Sequence, residues 1–254
     1  MRNVRMLLCA TVAASALSVP ARAQESPGTV ARIGVFKPKP GAAAQFEQGR
    51  KKHFEWHRKA NDGWTWYTWE TISGEHEGSY ITATFGHHWK DFDAWEKMEQ
   101  ADTADANANM GPSIASEFTA YYDYIPEASR PPAGKEPSAM GQVTHFFVKP
   151  AGVDAFLGAI KEARTALDKV DWPAHSFWYR LVNGGNGPEF VLVTARASWA
   201  EMEPPAKTLA QAFTEAYGPQ KAVALIDAVV GNTTHTYSEM IRYRPDLSYI
   251  PAAK

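Results

Sequence analysis

The chain has 254 residues, 44% hydrophobic and 21% charged, with 26 basic side chains against 28 acidic ones. That balance is ordinary for a folded protein, and it excludes disorder, collagen-like repeats and the strongly basic footprint of a nucleic-acid binder. Nine tryptophans and an aromatic content of 12% put flat rings in any core or pocket, while a lone cysteine excludes a disulfide framework and Cys-based metal sites.

The first 23 residues read as a targeting segment. Arg2 and Arg5 precede an apolar stretch from Met6 to Val19, and Ala21-Arg22-Ala23 supplies small residues where a signal peptidase reads them. Cleavage before Gln24 is expected, with a periplasmic or secreted location. The stretch is short for a bilayer core of about 30 Å. Cys9 lies within the apolar run and not at the processing site, which disfavours lipid attachment. The mature chain would carry a formal charge of −5 and no thiol. No later apolar run is long enough to span a membrane, so no membrane partner is expected after processing.

From there the elements follow in order. Val30–Phe36 reads as a strand ended by Lys-Pro, and Gly41–Ala60 as a helix. Strands are expected near Trp64–Ile72 and Ser79–Phe85, a helical region after Trp89, and a closing strand near Phe118–Ile125. Glu127–Gly141, rich in Pro, Gly and Ala, reads as a linker. The sequence then repeats itself with a strand at Gln142–Val148 and a helix at Gly152–Val170. Strands at His175–Val182 and Glu189–Ala195 follow, then a helical region after Trp199 and a strand at Thr233–Tyr243. In the second helix-forming segment Phe156, Ile160, Ala163 and Leu167 form an apolar stripe at helical spacing.

The repetition has a constant register. Lys39-Pro40, Phe46, Lys51, Gly74, Thr84 and Trp89 recur 110 positions later as Lys149-Pro150, Phe156, Lys161, Gly184, Thr194 and Trp199. Residues 24–126 and 142–254 are thus two copies of one unit, joined by 127–141. Each has the order β-α-β-β-α-β, the ferredoxin-like split unit. One unit covers a single sheet face with helices and leaves the other bare. Two units packed sheet to sheet bury both, giving an α+β fold built as a pseudo-dimeric α+β barrel.

The phrases Val35-Phe-Lys-Pro-Lys-Pro-Gly41…Phe46, Phe147-Val-Lys-Pro-Ala-Gly152…Phe156 and Trp89-Lys-Asp-Phe-Asp-Ala-Trp95 resemble the strand and helix entries of dimeric α+β barrel proteins. That superfamily includes antibiotic-biosynthesis-type monooxygenases, haem-degrading monooxygenases, NIPSNAP-like proteins and stress-responsive barrel proteins. The resemblance implies the fold across nearly the whole mature chain. It transfers no catalytic residue, because the Asn/Trp/His set of the haem degraders and quinol monooxygenases cannot be placed residue by residue here.

The second copy serves as an internal control for the first. Where it has Ile160, Ala163 and Leu167 on its helix stripe, the first has Arg50, His53 and His57. Burying these three without partners would cost several kcal/mol, so a carboxylate, a wet cavity or a ligand should compensate. His87 and His88 replace Ala197 and Ser198 at the same expected sheet edge, so four histidines are expected to converge in the first copy only. The alternative is a solvated cluster with Arg50 snorkelling outward. Two histidines one helical turn apart also suit zinc or copper, although His53-Phe-Glu-Trp-His57 lacks the adjacent His-Glu of the zincin motif and the sequence names no third ligand. Trp66, Trp69 and Tyr121 are candidate substrate contacts beside Arg50, His87 and His88.

Three functions are open at this point. The first is an exported small-molecule enzyme, oxygenase-like and cofactor-independent, with His53 or His57 as base and an aromatic or apolar substrate. The second is a non-catalytic binder of a haem-like or aromatic ligand; the third is a structural protein with no site. No cofactor is required by the sequence, the metal question is open, the partner is a small molecule, and homo-oligomerisation is undecided.

Overall fold

The apolar period changes along the chain as the two-copy reading requires. The computed structural model describes residues 27–134 and 136–252, so the segment expected to be a targeting signal, with Cys9, lies outside the described residues. The first half comprises β1 (Val30–Pro38), α1 (Ala43–Lys59), β2 (Tyr67–Ser73), β3 (Tyr80–His87), α2 (Trp89–Asn109) and β4 (Ile114–Tyr124). The second comprises β5 (Met140–Val148), α3 (Val153–Lys169), β6 (Ser176–Asn183), β7 (Glu189–Arg196), α4 (Leu209–Tyr217), α5 (Pro219–Val230) and β8 (Thr233–Tyr243). Strand β5 therefore begins inside the segment expected to be linker. The second helical region of this half divides in two: Gly218 adopts a left-handed φ of 83°, and Pro219, which has no N–H to donate, opens the next helix.

All eight strands run antiparallel to their neighbours in one closed barrel, ordered β1-β3-β2-β8-β5-β7-β6-β4. Each half supplies four strands, and the β2–β8 and β4–β6 seams join them. Alternation along each strand gives every sheet an outer, helix-covered face and an inner face turned to the lumen. The helices pack by the stripe the repeat implies. Phe46 and Phe156, 110 positions apart, are both fully buried, and the inward face of α1 continues through Gly49, Arg50, His53, Phe54 and His57. Among the described residues, no helix is long and apolar enough to cross a membrane.

Two further correspondences show how closely the halves match. The Lys39 backbone N–H and ammonium donate to the Ser113 and Pro112 carbonyls, at 2.8 and 2.7 Å. Lys149 does the same to Asn232 and Gly231, at 2.8 and 2.6 Å. The segments after the closing strands cross to the opposite half. Ser129 accepts from the Trp178 N–H and Arg130 donates to the Trp172 carbonyl. Reciprocally, Ser248 accepts from the Thr68 N–H, and Tyr249 donates to the Asp62 carbonyl at 2.8 Å.

Candidate functional site

Helix α1 ends in a turn that sets the geometry of the site. Asn61 takes a left-handed φ of 54°, a conformation asparagine tolerates better than most residues, and the Asp62 N–H returns to the His57 carbonyl at 3.0 Å. Asp171 makes the same turn in the second half, where the next residue is Trp172. In the first half that place holds Asp62, and its buried carboxylate comes back against the helix. It accepts from His57 Nδ1 at 2.8 Å, Trp66 Nε1 at 2.8 Å and the Trp64 N–H at 2.9 Å.

His53, one turn earlier, has a matching arrangement. Its Nδ1 lies 2.9 Å from Oδ1 of Asp105 on α2, which also accepts from Asn109 Nδ2 at 3.0 Å. With both Nδ1 atoms turned to carboxylates, the two Nε2 atoms face each other at 3.1 Å. Oδ1 of Asp102, one turn before Asp105, stands 3.2 Å from His57 Nε2 and 3.4 Å from His53 Nε2. His53 and His57 are 3% and 2% exposed, so this is an interior array and not a solvated face. Burial pushes the His57 imidazole below its ordinary range, against the upward pull of Asp62. Burial alone would raise the Asp102 carboxyl, but the adjoining His53 imidazole, with His57 and Arg32, holds it below its ordinary value.

A cavity of about 320 Å³ opens beside the array, between α1, α2 and the outer face of β1, β3 and β4. Arg32, Phe36, Phe54, Trp66, Asn107 and Met110 are among its walls. Arg50 crosses its floor, 3% exposed, donating from Nη2 to Thr82 Oγ1 at 2.5 Å and lying 4.2 Å from the Phe54 ring centroid. Desolvation lowers its pKa to about 9, so it stays cationic at neutral pH, and its buried Nε has no hydrogen-bond partner. Among the described residues, no carboxylate lies within ion-pair distance of the guanidinium. The site thus offers a buried positive charge a short distance from two carboxylate-held imidazoles.

Arg50, His53, His57 and Trp66 come together here as the comparison of copies implied, but the expected convergence of four histidines does not occur. His87 is buried against Thr84, at 2.6 Å, and its ring packs on Trp64 with centroids 3.9 Å apart. Trp64 stacks on Trp95 at 4.8 Å and Trp95 on His57 at 6.2 Å, so two indoles stand between. His88 begins α2, its backbone N–H donating to Asp91. Tyr121 packs on Trp89 and Phe92. Trp69 points the other way: strand alternation puts it in the lumen, in a cavity of about 560 Å³ with Tyr67, Tyr179 and Ile241. Asp62, Asp102, Asp105 and Tyr249 were not singled out from sequence. Their only trace there is Asp102 and Asp105 at i, i+3 spacing, and an acid five residues after His57.

No family model matches the sequence, and no curated protein does. Solved structures do match. A protein of Lactobacillus acidophilus NCFM, provisionally named a monooxygenase, aligns over 91% of this chain and 99% of its own, at 10% identity and a TM-score of 0.56. An anthrone oxidase-like protein aligns over 85% and 92%, at 13% identity and a TM-score of 0.54. A chlorite dismutase variant from Candidatus Nitrospira defluvii aligns over 88% and 94%, at 8% identity and a TM-score of 0.54. At such identities the likeness shows the fold: this is a tandem α+β barrel of the dimeric α+β barrel type.

Proposed function

We propose that this tandem α+β barrel is an exported, oxygenase-like enzyme whose reaction chamber is the helix-side cavity of its first half. The observation that carries the reading is the pair of buried imidazoles, each held at Nδ1 by a carboxylate and presenting Nε2 beside a cavity floored by the Arg50 guanidinium. A carboxylate that accepts from Nδ1 fixes the tautomer and raises the basicity of Nε2, as a general base requires. The substrate class follows from the walls. Phe36, Phe54 and Trp66 suit a planar aromatic molecule, and Arg50 suits an acidic oxygen on it, a phenol or enol. The volume lies near the lower end for ligand pockets, enough for a few fused rings. Removing the hydroxyl proton leaves an anion that Arg50 stabilises and that dioxygen can oxidise. The name of the anthrone oxidase-like neighbour is in keeping with that class.

Oxygen uptake by the purified mature chain with a panel of anthrones, quinols and flavonoids tests this. Turnover is expected for at least one, lost in His57→Ala and shifted to higher KM in Arg50→Met. A panel that neither turns over nor binds would sink the reading. A second reading, binding without turnover, is favoured by the lumen. That larger cavity is mostly apolar and is lined at one place by His145, whose Nδ1 lies 2.5 Å from Glu189 Oε1. An aromatic ligand whose binding is lost in Trp69→Ala and unaffected by Arg50→Met would favour it.

A further inference from the structure

Once both Nδ1 hydrogens are committed to Asp62 and Asp105, His53 Nε2 and His57 Nε2 each present a lone pair, 3.1 Å apart. Asp102 Oδ1 completes a triangle with edges of 3.2 and 3.4 Å, and that oxygen is buried with no hydrogen-bond donor of its own. Three electron-rich atoms at mutual contact, out of water, repel one another unless something positive lies among them. Ligand atoms about 2.1 Å from one ion, at tetrahedral to octahedral angles, are roughly 3.0–3.4 Å apart. The triangle has those dimensions. The carboxylates behind each imidazole supply the outer hydrogen bonds that metal-bound histidines usually have.

We propose that His53 Nε2, His57 Nε2 and Asp102 Oδ1 bind one divalent first-row transition ion. Two imidazoles and a single carboxylate suit zinc, iron(II) or cobalt(II) better than magnesium or calcium, which take mainly oxygen ligands. Three protein ligands leave at least one coordination position, and the neighbouring cavity is where it would open. The inference rests on the chamber reading in one respect only: with the ion bound, the imidazoles serve as ligands, and the base for the substrate proton becomes an ion-bound water of lowered pKa. The alternative is a proton shared between the two Nε2 atoms, one imidazole being cationic.

The two differ in solution. Mature chain stripped with a chelator is titrated with Co2+ or Zn2+ alone, by calorimetry and by the cobalt visible spectrum. One equivalent is expected to bind with micromolar or tighter affinity. His53→Ala and Asp102→Asn should weaken binding at least 100-fold, and Asp105→Asn, which disturbs only the outer hydrogen bond, by about 10–100-fold. His235→Ala, at an exposed histidine, should leave it unchanged. With Cu2+ as probe, pulsed electron paramagnetic resonance of the native chain should detect two coordinated imidazoles, a readout that needs no variant to fold. Absence of stoichiometric binding, affinity unchanged in Asp102→Asn, or fewer than two imidazoles overturns the proposal. Failure here with phenolic binding intact and sensitive to Arg50→Met leaves the chamber reading standing. Metal binding without turnover of any phenolic substrate leaves the metal site alone standing.

Discussion

The two halves have the same elements, the same turn after the first helix and the same lysine clasp, yet they differ beneath that helix. In the second half Ala163 and Leu167 pack with Phe213 and Leu225, and Ile160 joins Phe156 and Phe190 in an apolar core. In the first half the corresponding layer holds a guanidinium, two imidazoles, three carboxylates and a cavity. One scaffold therefore tolerates both fillings, and the polar one is not required by the fold. Buried charge without structural need is a mark of function, because ion-paired interiors seldom out-stabilise well-packed apolar ones.

The largest effect should come from separating the halves. Residues 24–127 alone lose both inter-half seams and expose the lumen face, so they should form dimers or aggregates in analytical ultracentrifugation. A stable, well-behaved monomer would contradict the barrel. Next is the exchange of His53 and His57 for the Ala and Leu of the second copy. Turnover should fall by about 10²-fold or more. Stability should also drop, by roughly 1–3 kcal/mol, because the Asp102 and Asp105 carboxyls lose their partners. Adding Asp102→Ala and Asp105→Ala should recover most of that loss in urea titrations. If the carboxylates make no difference, the halves are not interchangeable in the way proposed.

Tyr249→Phe, which removes the donor to the Asp62 carbonyl, should cost about 1 kcal/mol in denaturant unfolding and perturb the first half's site alone. The smallest effect concerns the β2–β8 seam. Arg244 donates to Glu47 at 2.7 Å and to Asp246 at 2.9 Å, and these hydrogen bonds hold both carboxyls below their ordinary values. The folded state therefore gains stability from them at neutral pH, and that gain is lost as pH falls from near 4.5 through the lowered values. Arg244→Met should flatten this acid limb of a Tm–pH curve. The carboxyls are partly exposed, so the change should stay below about 1 kcal/mol. An unchanged limb would assign acid sensitivity elsewhere.

The fold was legible because strand alternation, helix stripes and the 110-residue register agree with one another, and local patterns fix local elements. Half the site was legible for the same reason: a stripe that is apolar in one copy and basic in the other exposes Arg50, His53 and His57. The carboxylates were not. Asp102 and Asp105 lie among alanines on a largely exposed helix, where acids ordinarily mark a solvated face, and only the packing of α2 on α1 turns them inward. His87 misled because chain proximity to the sheet edge says nothing of Trp64 and Trp95 standing in between. Trp69 does not share the site with Trp66, because three positions along an extended chain is an odd spacing that puts the two rings on opposite faces.

The exchange of tails has a consequence in time. Tyr249 and Asp62 are 187 positions apart in the chain, and Tyr249 also stacks on His57, with ring centroids 5.5 Å apart. A ribosome releases α1 and its turn long before it releases that ring. During the interval His57 lacks one of its walls and the Asp62 carbonyl lacks its donor, however well the first half has collapsed. Completion of the site is thereby tied to the arrival of residues 244–250. Whichever compartment the polypeptide occupies at that moment supplies the solutes that the finished imidazoles meet first.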